Sequence, residues 1–262
     1  YVQWDRLCRR SMGRAPTSRK AAAGALPSTV PDLLAALERK GTKANREGMA
    51  RYAIVAPKIF GVSVAEIRKV AKGIGRDHAL ALALWDTGWY EAKMLACFVA
   101  DPQTMTPGEM DRWTRDFDNW AICDTACFHL FDRSPHAWRK VDQWGRKKGE
   151  FVRRAGFALL ASLALHDKKG SDDNYLKRLG LIEEFASDDR NFVKKAVSWA
   201  LHGIGCRSAE LHEAALALGR KLTASKDPAE RWVGRDAVRK LDSAATWKRL
   251  MRATRSSPRA SG

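Results

Sequence analysis

A carboxylate set among apolar side chains needs a partner, a raised pKa or a chemical task, and Asp124 is such a carboxylate. Wound at 100° per residue, the stretch from Asn119 to Phe131 projects Trp120, Asp124, Cys127 and Phe131 from one stripe. Arg153 and Arg154, farther along the chain, are candidates for an ion pair with it. A second grouping falls between Asp189 and Gly203. There Val193, Val197, Ala200 and Ile204 form an apolar stripe, while Phe192, Lys195, Trp199 and His202 share the neighbouring face. An indole beside an ammonium and an imidazole can meet sugar and phosphate. The same spacing suits a Trp that caps the edge of a core while Lys195 snorkels to water. Spacing alone leaves both readings open, and leaves Asp124 equally free to be a structural ion pair.

Other chemistries find little footing. The five cysteines, Cys8, Cys97, Cys123, Cys127 and Cys206, are odd in number and scattered, which fits a reducing compartment better than a disulfide framework. Cys123 and Cys127 stand four apart with His129 near, but no second pair has zinc-like spacing, so they read as small core side chains. The six histidines lack ligand spacing, and there is no P-loop, GxGxxG, GxSxG or HExxH. Neither a metal nor an organic cofactor is expected.

Charge points to the partner. The net charge is +17. Residues 1–27 hold Arg6, Arg9, Arg10, Arg14, Arg19 and Lys20 against Asp5 alone, and residues 247–262 add five basic side chains with no acid. The middle of the chain still keeps a positive surplus, so the folded part is itself basic. Such a surface attracts polyanions, chiefly nucleic acid or anionic membrane. No run approaches the roughly 18 apolar residues of a span, which favours nucleic acid over membrane.

Positioning these groups falls to helices. With 45% apolar residues the chain is globular. Ser63 with Glu66, Thr106-Pro107-Gly108-Glu109, Asp227-Pro228-Ala229-Glu230 and Ser134-Pro135 are helix starts, and Gly203 and Gly205 a helix end. They punctuate fourteen expected helices between residues 31 and 254, among them 44–57, 119–131, 135–147, 189–203 and 244–254. Short loops imply antiparallel neighbours. Helix pairs recurring about every 35–45 residues predict an all-α, HEAT-like α-solenoid with a concave basic face; a compact irregular bundle is the alternative. Residues 1–27 read as a flexible basic arm, 28–254 as the helical repeat domain and 255–262 as a basic tail. Trp85 and Trp89, at helical spacing, are expected to pack as a pair.

Over most of residues 31–241 the chain resembles the AlkD-type DNA alkylation-repair glycosylases. Ala50-Arg51-Tyr52, Phe60-Gly61-Val62-Ser63, Ile67-Arg68, Leu84-Trp85 and Tyr90-Glu91-Ala92-Lys93 follow that family's N-terminal order and spacing. Trp120-Ala121-Ile122-Cys123-Asp124 is similar to its Trp-x-x-x-Asp segment, Arg154 to the Arg of a later helix, and Trp199 to a second Trp. The resemblance implies a hydrolytic glycosylase that removes positively charged N3- or N7-alkylated purines from duplex DNA. It implies Asp124, Trp120 and Trp199 as the catalytic group, with Arg154, Tyr52, Lys195, His202 and Arg153 on the DNA. Where members carry an acid after the first Trp and an Arg three residues after the second, this chain has Ala121 and His202. A cytoplasmic, nucleoid-associated monomer acting on alkylated duplex is the expected state. The alternatives are a non-catalytic HEAT-repeat protein binding damaged or branched nucleic acid, and a helical scaffold for acidic proteins.

Overall fold

The structure, a computed structural model, describes residues 29–248 and 250, and every regular element among them is helical. The helices are α1 (Val30–Glu38), α2 (Lys43–Ala50), α3 (Val64–Ile74), α4 (His78–Asp86), α5 (Tyr90–Val99), α6 (Pro107–Arg115) and α7 (Trp120–His129). After a short 3-10 turn, Phe131–Arg133, come α8 (Ala137–Gly145), α9 (Glu150–His166), α10 (Asp172–Glu184), α11 (Asn191–Gly205), α12 (Ala209–Thr223) and α13 (Pro228–Leu241). Residues 244–248 are helical again. The basic arm 1–27, the tail 255–262 and the end of the helix expected over 244–254 lie outside the described residues.

Alternate helices form a continuous row. In order, α3, α5, α7, α9, α11 and α13 each pack on the next, while α4 backs α5, α8 backs α9 and α12 backs both α11 and α13. This is the stacking of an α-solenoid, in which each unit buries its apolar side against its neighbours. The row centres on α9. Of its 17 residues 11 are buried, from Arg154 to Ala164, so this helix is enclosed on all sides rather than along one stripe.

Glycines set how closely the helices of a pair approach. At Gly156 of α9 an added Cβ would stand 2.4 Å from the Gly145 nitrogen of α8. At Gly234 of α13 it would stand 2.5 Å from the Thr223 nitrogen and 2.6 Å from the Gly219 oxygen of α12. Both hairpins therefore cross backbone on backbone.

The punctuation holds with adjustments. Thr106 and Glu109 form a reciprocal capping box, and Asp227 caps α13 through Ala229 and Glu230. Ser63 accepts from the Glu66 amide, but the Glu66 carboxylate turns to Lys40 and Lys69. Helix α8 starts at Ala137, after Ser134 has taken the His136 amide in a turn. Gly203 lies inside α11, which runs on to Gly205.

Two expectations fail for physical reasons. The helix expected over 44–57 ends at Ala50, because Ala53 adopts φ 56° and the Ile54 amide reaches back to the Met49 carbonyl at 3.1 Å. Pro57 would in any case disfavour helix in the residue before it. Trp85 and Trp89 do not pair: Gly88, at φ 74°, turns the chain between them. Trp85 stacks on Trp113 at 3.9 Å and Trp89 on Phe60 at 3.8 Å.

The segment after α2 is anchored by one acid. Fully buried Glu91, in the first turn of α5, accepts from the amides of Phe60, Gly61 and Val62 at 3.0, 2.7 and 3.1 Å. Gly61 permits this nest by adopting φ 86°.

Gly156→Ala is expected to cost about 3 kcal/mol, since backbone has no rotamer with which to yield. Gly180→Ala, on α10 with nothing within 4 Å of the new methyl, should instead stabilise by about 0.5–1 kcal/mol. Urea unfolding of the two variants reads both.

Candidate nucleic-acid interface

The first turn of α7 is fixed by Asn119, whose side chain accepts from the Ala121 and Ile122 amides. From there Trp120, Asp124 and Phe128 follow at intervals of four along one edge of the helix. Each is held by a different part of the fold. Half-buried Trp120 donates its Nε1–H to the Tyr52 carbonyl at 2.8 Å, in the turn that ends α2. Asp124 meets α9. Phe128 stacks on Trp199 of α11, centroids 4.7 Å apart and planes 6° from parallel.

The middle contact is a fork. Arg154 donates from Nε to Asp124 Oδ1 at 2.9 Å and from Nη2 to Oδ2 at 2.7 Å, and its Nη1 donates to the Phe192 carbonyl at 2.7 Å. One guanidinium thereby joins α7, α9 and α11. Asp124 is 2% exposed and Arg154 6%. Burial pushes the Asp124 carboxyl up, and the adjacent Arg154 charge opposes that push. Because both oxygens accept from N–H groups, the fork itself requires the carboxylate. The ion-pair partner open at the level of sequence is Arg154. Arg153 turns away, donates to Asp188 at 2.6 Å and lies 4.3 Å from the Phe185 ring centre. Burial works to raise Asp188, but Arg190 and Arg153 outweigh it and hold that carboxyl low.

Lys195 sits close enough to Arg154, Lys194 and Asp236 to feel all three. Burial first, then the two cations, lowers its ammonium pKa against the pull of Asp236. His202, one turn after Ser198 on α11, contacts Cys206 across 3.3 Å. Tyr52 is 68% exposed. The structure therefore gathers Trp120, Asp124, Arg154 and Trp199 around one edge of α7, with Lys195 beside Arg154, and sends Arg153 to a separate ion pair.

Phe128 was missed by the sequence reading, and Phe131 was included wrongly. Helix α7 ends at His129, so Phe131 belongs to the 3-10 turn and packs on Trp113, Phe117 and Trp144 in the core. The spacing of four from Asp124 to Phe128 was the available signal. Cys123 and Cys127 face the Phe151 and Ala155 carbonyls of α9, so both thiols are packing groups between α7 and α9. No group of three or more potential metal ligands occurs among the described residues.

A family model described as DNA alkylation repair enzyme matches residues 33–241. The chain belongs to the DNA alkylation repair enzyme family. A solved structure described as "a new family of proteins related to the HEAT-like repeat DNA glycosylases with affinity for branched DNA structures" shares its fold, with a TM-score of 0.68 and 21% identity over 80% of this chain and 94% of that one. No curated protein matches. The likeness establishes a HEAT-like repeat architecture for this member of the alkylation-repair family. Among the described residues no helix is long and apolar enough to cross a membrane.

A second basic groove, not expected from the sequence, lies where α3, α5 and α7 end. Arg68, Lys72, Arg76, Phe98 and His129 line it. Arg68 contacts His129 Nε2 at 2.8 Å and sits 5.3 Å from the Phe98 ring centre. Burial, then Arg68 and Arg133, lower the His129 pKa to about 3.

Removing one side of the buried fork strands a charge, so Arg154→Ala should cost about 3–5 kcal/mol. The double change Asp124→Leu with Arg154→Met should lose less than half as much, which paired denaturant titrations can check. His129, neutral in the fold, contributes stability that is complete above its unfolded pKa of about 6.5 and is lost as pH falls. Between pH 6.5 and 5, His129→Gln should therefore lose about 1.5 kcal/mol less stability than the unaltered chain.

Proposed function

We propose that the chain is a DNA N-glycosylase that releases cationic N3- and N7-alkylated purines from duplex DNA, with Asp124 as the catalytic carboxylate. Alkylation leaves the purine positively charged. When the N-glycosidic bond breaks, its electron pair quenches that charge and the base departs neutral, so no general acid is required. The sugar left behind is oxocarbenium-like. A carboxylate already fixed beside it stabilises the developing charge, and water forms the new bond at C1′ while its proton passes to Asp124 or solvent. The products are the free base and an abasic site.

The observation that carries this reading is the fork. Asp124 accepts both arms of the Arg154 fork on a face that also offers two half-buried indoles, Trp120 and Trp199. In this reading Trp120 and Trp199 pack on the sugar and backbone beside the lesion. Arg154 exchanges part of its contact with Asp124 for a flanking phosphate, which opens the carboxylate to the sugar. Lys195 and His202 add weaker phosphate contacts, Tyr52 lies at the Trp120 end, and Arg153 acts through Asp188 rather than on DNA. Neither a metal nor an organic cofactor enters the scheme.

A second reading is favoured by the same geometry seen in the free chain. Both Asp124 oxygens are occupied by Arg154 and the side chain is 3% exposed, which suits a binding protein without chemistry. The related solved structure is described by its affinity for branched DNA. Incubation with duplex carrying 7-methylguanine separates the two. The glycosylase yields abasic sites, and Asp124→Asn lowers the rate by at least about 10²-fold while duplex affinity stays within a few-fold. Intact binding to junctions with no base released selects the second reading.

A further inference from the structure

We propose that the outer side of α13, together with Lys194 of α11, is a second nucleotide site that stacks an unpaired base on Trp232 and holds its phosphates with arginine. The proposal rests on the DNA-binding reading above and extends it to strand ends and gaps.

Helix α13 has two unlike sides. Ala229, Val233, Gly234, Ala237 and Leu241 are buried against the solenoid. The opposite stripe, with Arg231, Trp232, Arg235, Asp236 and Arg239, lines an open groove. Trp232 is half-buried, and the Lys194 ammonium lies 5.4 Å from its ring centre. One part of the ring packs against the core, and the rest stays open to the groove.

The groove's acid is already spent. Asp236 accepts from Ser198 Oγ at 2.6 Å, from Lys240 at 2.5 Å and from Arg239 at 2.7 Å. Burial favours its protonation, but these contacts outweigh that and hold the carboxyl low. Arg231 donates to the Ser225 and Lys226 carbonyls, which satisfy hydrogen bonds without cancelling charge. Arg235 is exposed and takes part in no ion pair among the described residues. Arg231, Arg235 and Lys194 therefore leave a net positive field around an indole.

An anion that also presents a π-face is the ligand this arrangement recognises. Indole stacking strengthens binding to single strands with little regard to sequence, because every base has a face. Bases inside a duplex are already stacked on their neighbours, so the site favours an unpaired one. Its position is contiguous with the candidate site: Ser198, which holds Asp236, precedes Trp199, and Lys195 feels both Arg154 and Asp236. A strand leaving the duplex past Trp199 would meet Trp232 one helix farther along the row.

Fluorescence anisotropy on the full chain, with a blunt duplex and the same duplex carrying a single-stranded tail, tests this. The unaltered protein should prefer the tailed DNA by about tenfold. Trp232→Ala should abolish that preference while blunt-duplex affinity, measured well below the variant's own melting temperature, stays unchanged, and Trp232→Phe, which keeps the packing against the core, should keep most of the preference. Arg235→Ala, at an exposed position that folding does not depend on, should reduce the slope of log affinity against log salt by about one on the tailed DNA only. Equal affinity for tailed and blunt DNA, or a preference that survives both Trp232→Ala and Arg235→Ala, overturns the site. Polyglutamate competing as well as a single strand overturns the stacking claim. Failure to bind blunt duplex at all would instead count against the parent reading.

Discussion

The middle of the molecule is organised around two charges withdrawn from water. Burying a carboxylate and a guanidinium costs several kcal/mol each, and only near-ideal geometry offsets it. Asp124 and Arg154 meet that condition: two parallel hydrogen bonds between them, and the remaining Arg154 arm on the Phe192 carbonyl. The fork fixes α7, α9 and α11 relative to one another more specifically than apolar packing would, because its hydrogen bonds tolerate little displacement. Trp120 and Trp199 flank it, one a turn before Asp124 and held by the Tyr52 carbonyl, the other stacked on Phe128 a turn after.

A solenoid suits such an arrangement because each unit contacts only its neighbours. The row from α3 to α13 presents side chains from separate parts of the sequence along one surface, and the tight glycine crossings behind it keep the helix pairs in register. Basic residues along this row lie near half-buried aromatic rings, Lys195 one turn before Trp199 and Lys194 over Trp232. Charge then supplies attraction at a distance, and ring faces supply contact once a ligand has arrived.

Much of this was legible in the residues. Helix starts at Thr106, Asp227 and Ser63 were readable because a short polar side chain before an apolar run satisfies the same orphan amides wherever it occurs. A basic partner for Asp124 was among the readable options, since a carboxylate on an apolar stripe needs a partner, a raised pKa or a task. Which arginine it would be was not: Arg153 and Arg154 are adjacent, and only the rotation of α9 decides between them. The end of α2 escaped because Ala53 adopts a left-handed conformation that nothing about alanine announces. Phe131 was misplaced because a helical wheel continues past the point where the helix stops. The Glu91 nest and the Arg68–His129 groove join residues 29 to 61 positions apart, and no local pattern encodes such contacts.

The buried thiols carry one more implication. Cys97 and Cys127 are enclosed completely, and burial drives their pKa values upward, away from the thiolate form. Sulfur reacts with electrophiles as the anion. Held as buried thiols, these two sulfurs are poor targets for alkylating agents. The packing that joins α5 and α7 to their neighbours thus also spares the scaffold from the chemical injury its family repairs.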